Sequence, residues 1–508
     1  ENDQALPDDN AKAEAMNEFF INKVKALQSK IDQSRKEDPI ERIRKNVNAK
    51  WRPNFSFRDV KIKEVVQILR KMKSSKSCGL DQISSELTKP VIEVIAPAIT
   101  DLINASLAEG VFPEIFKIAK VICVYKGRGS KKEKSSYRPV SNLSLIGKCL
   151  EVAVEMQLGA YCEKFNLLGS HQHGFRKSRS TSTALLTALT KWRSERAKNK
   201  VQGILLMDLS AAYDVLDPDI FIKKAKAMKF DETTLKWLKS YLSGRSQVVE
   251  VGGKISSCRQ LSFGTPQGSP LSCLIFAIYV GDLELWFDKK ESCMPLAYAD
   301  DTFASASADS EDELAEKLQD IGGRILSFFA SNGLVANAEK TGLMIIRPQS
   351  RIHDKSRPFE ICLGGVIITE REEEKILGVT VQADLKWESH LQKLKADLNY
   401  RIGVLNRLRH VLRKHELKLI MEGLVNSKIR YCVSVYGAES LRVNDADVTK
   451  KSMHDLQVLQ NDAMRIVTNH KRSEHIHITD MLHETHCLTV TSMTSKVHGS
   501  TGWVVLTH

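Results

Sequence analysis

Two adjacent carboxylates, Asp300 and Asp301, lie in the stretch Leu-Ala-Tyr-Ala-Asp-Asp-Thr at 296–302, between apolar runs at 294–299 and 303–306. Short apolar runs around a polar pair predict a tight β-hairpin with the acids at its tip. Neighbouring carboxylates repel, and an ordinary hairpin turn favours Asn-Gly or Asp-Gly. A bound hard cation would relieve the repulsion, because such ions take oxygen ligands. The plain alternative is a solvated loop tip. A third acid, Asp208, ends the apolar run 203–207 (Gly-Ile-Leu-Leu-Met), which has strand length, and a turn follows over 209–216. A strand ending in one carboxylate and a hairpin tipped by two can converge on a pair of Mg²⁺ ions. Two-metal phosphoryl transfer needs that arrangement, one ion activating the attacking oxygen and the other holding the leaving group. Mg²⁺ keeps water and phosphate as its other ligands, so two or three protein carboxylates suffice.

Around these acids the chain resembles the reverse transcriptases of non-LTR (LINE-type, jockey-like) retrotransposons. The matching stretches come in that family's order. They begin with Tyr137-Arg-Pro-Val-Ser-Asn-Leu143, Gln172-His-Gly-Phe-Arg176 with Arg179-Ser-Thr181, and the Asp208 stretch through Asp214. Gly264-Thr-Pro-Gln-Gly-Ser-Pro-Leu-Ser272, Tyr298-Ala-Asp-Asp301 and Asn337-Ala-Glu-Lys-Thr341 follow. The last is Lys375-Ile-Leu-Gly-Val379 with Asp384, Trp387 and His390. Ala-Asp-Asp and Pro-Gln-Gly-Ser-Pro are each fairly specific. Two departures stand out: Cys78 and Cys273 occupy positions where the family commonly carries proline.

The resemblance implies an RNA-directed DNA polymerase that extends a DNA primer with dNTPs on an RNA template, using two Mg²⁺ ions, with Mn²⁺ as a substitute. Asp208, Asp300 and Asp301 become the metal ligands. Lys340 stands where such polymerases carry a lysine that protonates departing pyrophosphate, or that only neutralises charge. Arg138 precedes Pro139, which biases it toward extended backbone. A guanidinium so fixed suits a triphosphate, and the family contacts the incoming nucleotide there. Tyr213, five residues after Asp208, lies by resemblance under the incoming sugar and excludes a 2′-hydroxyl. The alternative for it is a core aromatic on the helix after the strand. Gln267 and Gly268 contact the nascent base pair and template. Gly268 permits close backbone approach, and Pro270 suits the first turn of a helix. Arg176 and Arg179 offer themselves to a template backbone, with no acid nearby in sequence to pair them. Lys126 in a basic loop and Lys375 on a primer-grip strand complete the expected nucleic-acid contacts. Asp214 and Asp217 read as acids that cap the turn.

Composition agrees with a nucleic-acid partner. The 508 residues carry a formal net charge of +13, and segment 117–200 alone holds 18 Lys/Arg against 5 Asp/Glu. An excess so confined argues for a track lying against phosphates, with salt-sensitive binding. Ten scattered cysteines without a Cys-x-x-Cys pair fit reduced, mostly buried thiols of the cytosol or nucleus. A zinc site at His483, His486 and Cys487 lacks partner pairs. Apolar runs such as 271–280 fall far below a membrane span, and no signal-peptide pattern opens the chain, so no membrane partner is expected. The chain opens on Glu1 rather than Met, which suggests a piece of a longer product; the resemblance adds an endonuclease domain encoded upstream as a partner.

The elements that must position these residues form an α+β right-hand polymerase with an antiparallel-sheet palm, basic fingers and a helical thumb. Residues 1–58 read as a polar, disordered start, an amphipathic helix over 11–29 and a charged linker broken at Trp51-Arg-Pro-Asn. Residues 59–366 read as fingers and palm, and 367–508 as primer-grip strands, thumb helices and a diverged tail. A rival of another class is a catalytically silent, retroelement-derived nucleic-acid-binding protein, which primer extension would separate from an enzyme.

Overall fold

The computed structural model describes residues 8–31, 33–47, 53–288, 293–337, 340–348, 357–437, 447–471 and 473–494. The expected break at Trp51-Arg and the middle of the Asn337–Thr341 motif lie outside the described residues.

Two sheets organise the first part of the chain. Strand β1 (Ile118–Tyr125) pairs antiparallel with β2 (Tyr137–Asn142), where the sequence expects extended segments. Pro139 is tolerated because β2 is the sheet edge, where a missing N–H faces no partner. Strand β3 (Val201–Met207) is buried at every position but Leu206, as befits a strand covered on both faces. Next, β4 (Ser246–Val251) runs parallel to β1, and the short β5 (Lys254–Ile255) and β6 (Arg259–Gln260) fold back onto it. Gly252 and Gly253, both at positive φ, make the tight turn between β4 and β5. The second sheet joins β7 (Met294–Tyr298), β8 (Asp301–Ala308) and β9 (Gly342–Ile346) to β3 in the order β7-β8-β3-β9. Every pairing in it is antiparallel, as expected of the palm.

The palm sheet is fixed against helices on both sides. The helix Glu311–Ser331 lays Leu314, Leu318, Ile321, Ile325 and Phe328 on the sheet at the spacing of one helical face. Gly203 lets it approach, since a Cβ there would sit 2.3 Å from Leu318 Cδ1. The helix Pro270–Val280 is buried almost all round, which marks a central core helix. On the opposite side Ile204, Phe303 and Met344 join a cluster with Trp192, Leu398, Met421 and Leu456. That cluster roots the helices Glu388–Leu408, Lys414–Met421 and Asp447–Thr468 against the sheet, in the region that the sequence reading assigns to a thumb.

Several boundaries depart from the sequence reading. Residues 9 and 10 are helical rather than disordered, because Asp8 caps the Asp9–Gln28 helix by accepting from Ala11 N at 2.7 Å. The charged linker contains a helix, Glu41–Val47, anchored by buried Ile43. The segment 220–243 is two helices, Pro218–Ala227 and Glu232–Leu242, broken near Lys229 at φ 63°. The hairpin β10 (Glu360–Leu363) and β11 (Val366–Thr369) turns at Gly364-Gly365. The 375–379 stretch, however, is a hairpin and not one strand. Leu377 and Gly378, at φ 48° and 82°, turn β12 (Glu373–Ile376) into β13 (Val379–Gln382).

None of the ten cysteines is in a disulfide, but only Cys149, Cys162 and Cys432 are buried, fewer than expected. One helical stretch, Ser85–Glu109, is long and apolar enough to cross a membrane, contrary to the reading of the runs. Its Ile92, Ala96, Ile99, Ile103 and Leu107 lie in the main core.

Candidate active site

The acid hairpin is tighter than its sequence suggests. Tyr298 pairs with Asp301, leaving a two-residue turn of Ala299 and Asp300, so Asp301 is the first residue of β8. Ala299 sits at φ 59°, a left-handed conformation that costs an alanine and must be held by its surroundings. The segment 171–174 holds it. Gln172 Oε1 accepts from Gly174 N at 2.9 Å and from Ala299 N at 3.1 Å. The backbones of His173 and Ala297 bond at 2.8 Å, and a Cβ on Gly174 would lie 2.4 Å from Ala299 N. Gln172 and Gly174 are therefore functional positions that their sequence motif marks without assigning a role.

Asp208 meets this hairpin through sheet register. Met207 pairs with Thr302, so one further step sets Asp208 beside Asp301. The Asp208 carbonyl accepts from Asn337 N at 2.8 Å. Its carboxylate takes a 2.6 Å ion pair from Lys340 Nζ. Burial first, and then the charge of Asp208, pushes Asp300 above the ordinary carboxylate range, while Arg138 and Lys340 pull it back. Burial and the charges of Asp300 and Asp208 push Asp301 up to about 6, opposed by Lys340. Asp301 is solvent-exposed as a residue, so for it the crowding of like charge weighs more than the burial.

Oxygen donors, crowded negative charge and a nearby ammonium are the chemistry of a divalent-cation site. The carboxylates as placed do not form a closed cage, for no group of three or more His, Cys, Asp or Glu among the described residues stands at metal-holding spacing. In donor type and charge the acid turn fits the expected ions, with Lys340 supplying counter-charge at Asp208.

Of the expected cations, Arg138 and Lys340 bear on the charge of Asp300. Burial, and then the charges of Lys23, Arg138, Arg128 and Lys340, lowers Lys126 below the ordinary lysine range. Lys126 also donates to Ser135 O at 2.6 Å. Arg138 is exposed on β2 and makes no ion pair among the described residues. Lys375 is exposed on β12, opposite Thr380.

Tyr213 precedes any helix, since Pro218 starts the next one. Its ring packs on Phe276 at 4.8 Å, and its buried hydroxyl has no partner among the described residues. Burial, and then the charges of Cys273 and Asp300, raises that hydroxyl above the ordinary tyrosine range. Gln267 and Gly268 form the turn before the Pro270–Val280 helix. Gln267 O accepts from Ser141 N at 2.8 Å, and Gly268 adopts φ 110° against Ser141 O.

The two loop arginines depart from expectation. Arg176 is not offered to solvent; its side chain is 4% exposed. It grips Glu163 bidentately at 2.8 and 2.6 Å and donates to Gly169 O at 2.5 Å and Gln172 O at 3.2 Å. Its guanidinium is a pin for the loop that carries Gln172. The acid lies on the preceding helix, thirteen residues upstream, out of view of a local reading. Arg179 donates to Ser170 O at 2.5 Å and keeps part of its surface exposed.

The reverse transcriptase (RNA-dependent DNA polymerase) family model matches residues 130–381. The chain is 28% identical over 428 residues to a probable RNA-directed DNA polymerase from transposon BS of Drosophila melanogaster, covering 82% of this chain and 45% of that protein. It is 22% identical over 419 residues to the RNA-directed DNA polymerase from mobile element jockey of the same species, covering 80% and 44%. The chain thus spans less than half the length of these curated relatives. A telomerase structure from Candida albicans overlays 74% of this chain and 66% of its own at 12% identity and TM-score 0.39, too loosely to carry an argument.

Proposed function

We propose, from the premise that the chain belongs to the reverse transcriptases of non-LTR retrotransposons, that it copies RNA into DNA. A primer 3′-hydroxyl attacks the α-phosphate of a dNTP. The new bond joins that oxygen to the α-phosphorus, the bond to the β-phosphate oxygen breaks, and pyrophosphate leaves. Asp208, Asp300 and Asp301 would hold two divalent ions, Mg²⁺ or in its place Mn²⁺, which supply activation of the attacking oxygen and neutralisation of the leaving phosphates.

The chain's own residues do the positioning. Arg138, an unpaired cation on the strand facing the acid turn, grips the triphosphate. Tyr213 underlies the sugar, and Gln267 with Gly268 seats the nascent base pair. Lys340 leaves Asp208 when substrate and ions arrive, and neutralises or protonates the departing pyrophosphate. Lys126, Arg179 and Lys375 line the path of template and primer. The polymerase acts on RNA met in the cytoplasm and nucleus, and a nuclease encoded in the same longer product would supply its primer.

One observation carries this reading. The β3–β8 register sets Asp208 beside Asp301, and the charges of all three acids bear on one another. The Lys340–Asp208 ion pair favours the second reading, a silent nucleic-acid-binding protein whose lysine has replaced the metal. Primer extension on an RNA template, with Asp300→Ala as control, decides between them. Extension by the unaltered chain and none by the variant is expected; equal extension by both removes the assignment.

A further inference from the structure

Asp217, not Asp214, does the capping expected of both acids. It starts the Pro218–Ala227 helix by accepting from Asp219 N at 2.8 Å and Ile220 N at 3.2 Å. Asp214 faces the other way, toward the loop before the Pro270–Val280 helix. It lines a cavity of about 160 Å³ shared with Phe20, Lys23, Pro139 and Gln267. There its Oδ1 accepts from Gln267 Nε2 at 2.9 Å.

That bond completes a zipper between two motifs. Thr265 N donates to Tyr213 O at 2.9 Å, and Gly264 N to Leu216 O at 2.8 Å. Gly264 stands at φ 86°, and a Cβ on it would lie 2.6 Å from Asp214 O, so only glycine allows this approach. The Gln267 backbone is tied separately to β2 through Ser141 N. Among the described residues the hydrogen bond printed for its side chain is the one to Asp214.

We infer that Asp214 is the positioning residue of Gln267: its carboxylate takes one amide hydrogen and aims the rest of the amide at the nascent base pair. The sugar-contacting Tyr213 and the base-contacting Gln267 thereby become one rigid unit, because Asp214 is covalently next to the first and bonded to the second. Burial raises Asp214 to about 6, opposed by the Gln267 bond and the Lys23 charge. The inference rests on the polymerase reading of the site.

Single-nucleotide incorporation by the full chain tests it. Asp214→Ala is expected to raise KM for the correct dNTP about tenfold, the loss of one charge-assisted hydrogen bond, and to raise misincorporation, with KM bearing more of the change than kcat. Asp214→Asn, which keeps an acceptor oxygen, should restore most of both. Asp214→Ala combined with Gln267→Ala should be no worse than Gln267→Ala alone. Hydrogen exchange adds a readout free of turnover: the amides of Gly264, Thr265, Gln267 and Gly268 should exchange faster in Asp214→Ala and at the ordinary rate in Asp214→Asn. Wild-type KM and fidelity in Asp214→Ala, additive losses with Gln267→Ala, or unaltered exchange would overturn the inference. Should Asp214→Ala fail to fold, Asp214→Leu, close to aspartate in shape and without an acceptor, makes the same comparison. No extension by the unaltered chain would strike the polymerase reading instead, leaving hydrogen exchange to judge Asp214.

Discussion

Replacing Arg176 by alanine sets two roles for one cation against each other. The guanidinium makes two bonds to Glu163 and two to loop carbonyls while only 4% exposed. Removing it strands the Glu163 carboxylate, which is 34% exposed. Breaking a buried pair by deleting one partner costs about 3–5 kcal/mol; the partial exposure of Glu163 lowers this to about 2–3 kcal/mol. Arg176 holds Glu163 below the ordinary carboxylate range. The folded protein therefore gains this stability above the ordinary carboxylate pKa and loses it as pH falls through the depressed one. Urea unfolding at pH 7 should show the full loss, shrinking in acid. A template contact would behave otherwise, leaving stability nearly intact and making the salt dependence of RNA–DNA hybrid binding shallower by about one unit. Lys375→Ala serves as comparator, since that exposed side chain, assigned to the path of template and primer, should follow the second pattern. An unaltered urea midpoint together with a shallower salt slope for Arg176→Ala would refute the pin.

Two further outcomes follow from the acid turn and its neighbour. Asp301, raised to about 6 from an ordinary 3.8, holds its proton more tightly folded than unfolded, so its contribution to stability is full below 3.8 and is lost as pH rises through 6. Thermal melts in the presence of a chelator should then favour Asp301→Asn over the unaltered chain increasingly from pH 4 to 7; a constant difference would remove the charge-crowding account. Tyr213→Val should increase ribonucleotide incorporation by about tenfold or more in competition with dNTPs, a sugar contact being worth at least ~1.4 kcal/mol. An unaltered ratio would reduce the ring to packing on Phe276.

What the sequence made legible was chiefly local. Alternating Val and Ile locate Ile118–Tyr125, and the spacing of Leu314, Leu318 and Ile321 gives the helix behind the palm. The three acids stand out because carboxylates that end apolar runs are unusual. Less visible was whatever depends on contacts between remote segments. Arg176 looked free because its acid sits on another helix, and Lys340 could not be joined to Asp208 across 132 residues. Gln172 carried no charge to mark it, yet it holds the strained Ala299. The turn at Leu377-Gly378 hid inside a run that reads as continuous strand, because left-handed backbone at a leucine leaves no signature in composition.

The helix Asp9–Gln28 buries Met16 and Phe20 against Ala119, Val121, Leu143 and Val249. Its buried Asn17 donates to Ser256 Oγ and accepts from Gln247 Nε2, both at 2.9 Å. A recombinant fragment trimmed to begin at residue 30 would therefore bare an oily sheet surface and strand the Gln247 amide. Such a fragment would tend to clump, and its failure would say nothing about the chemistry of the acids.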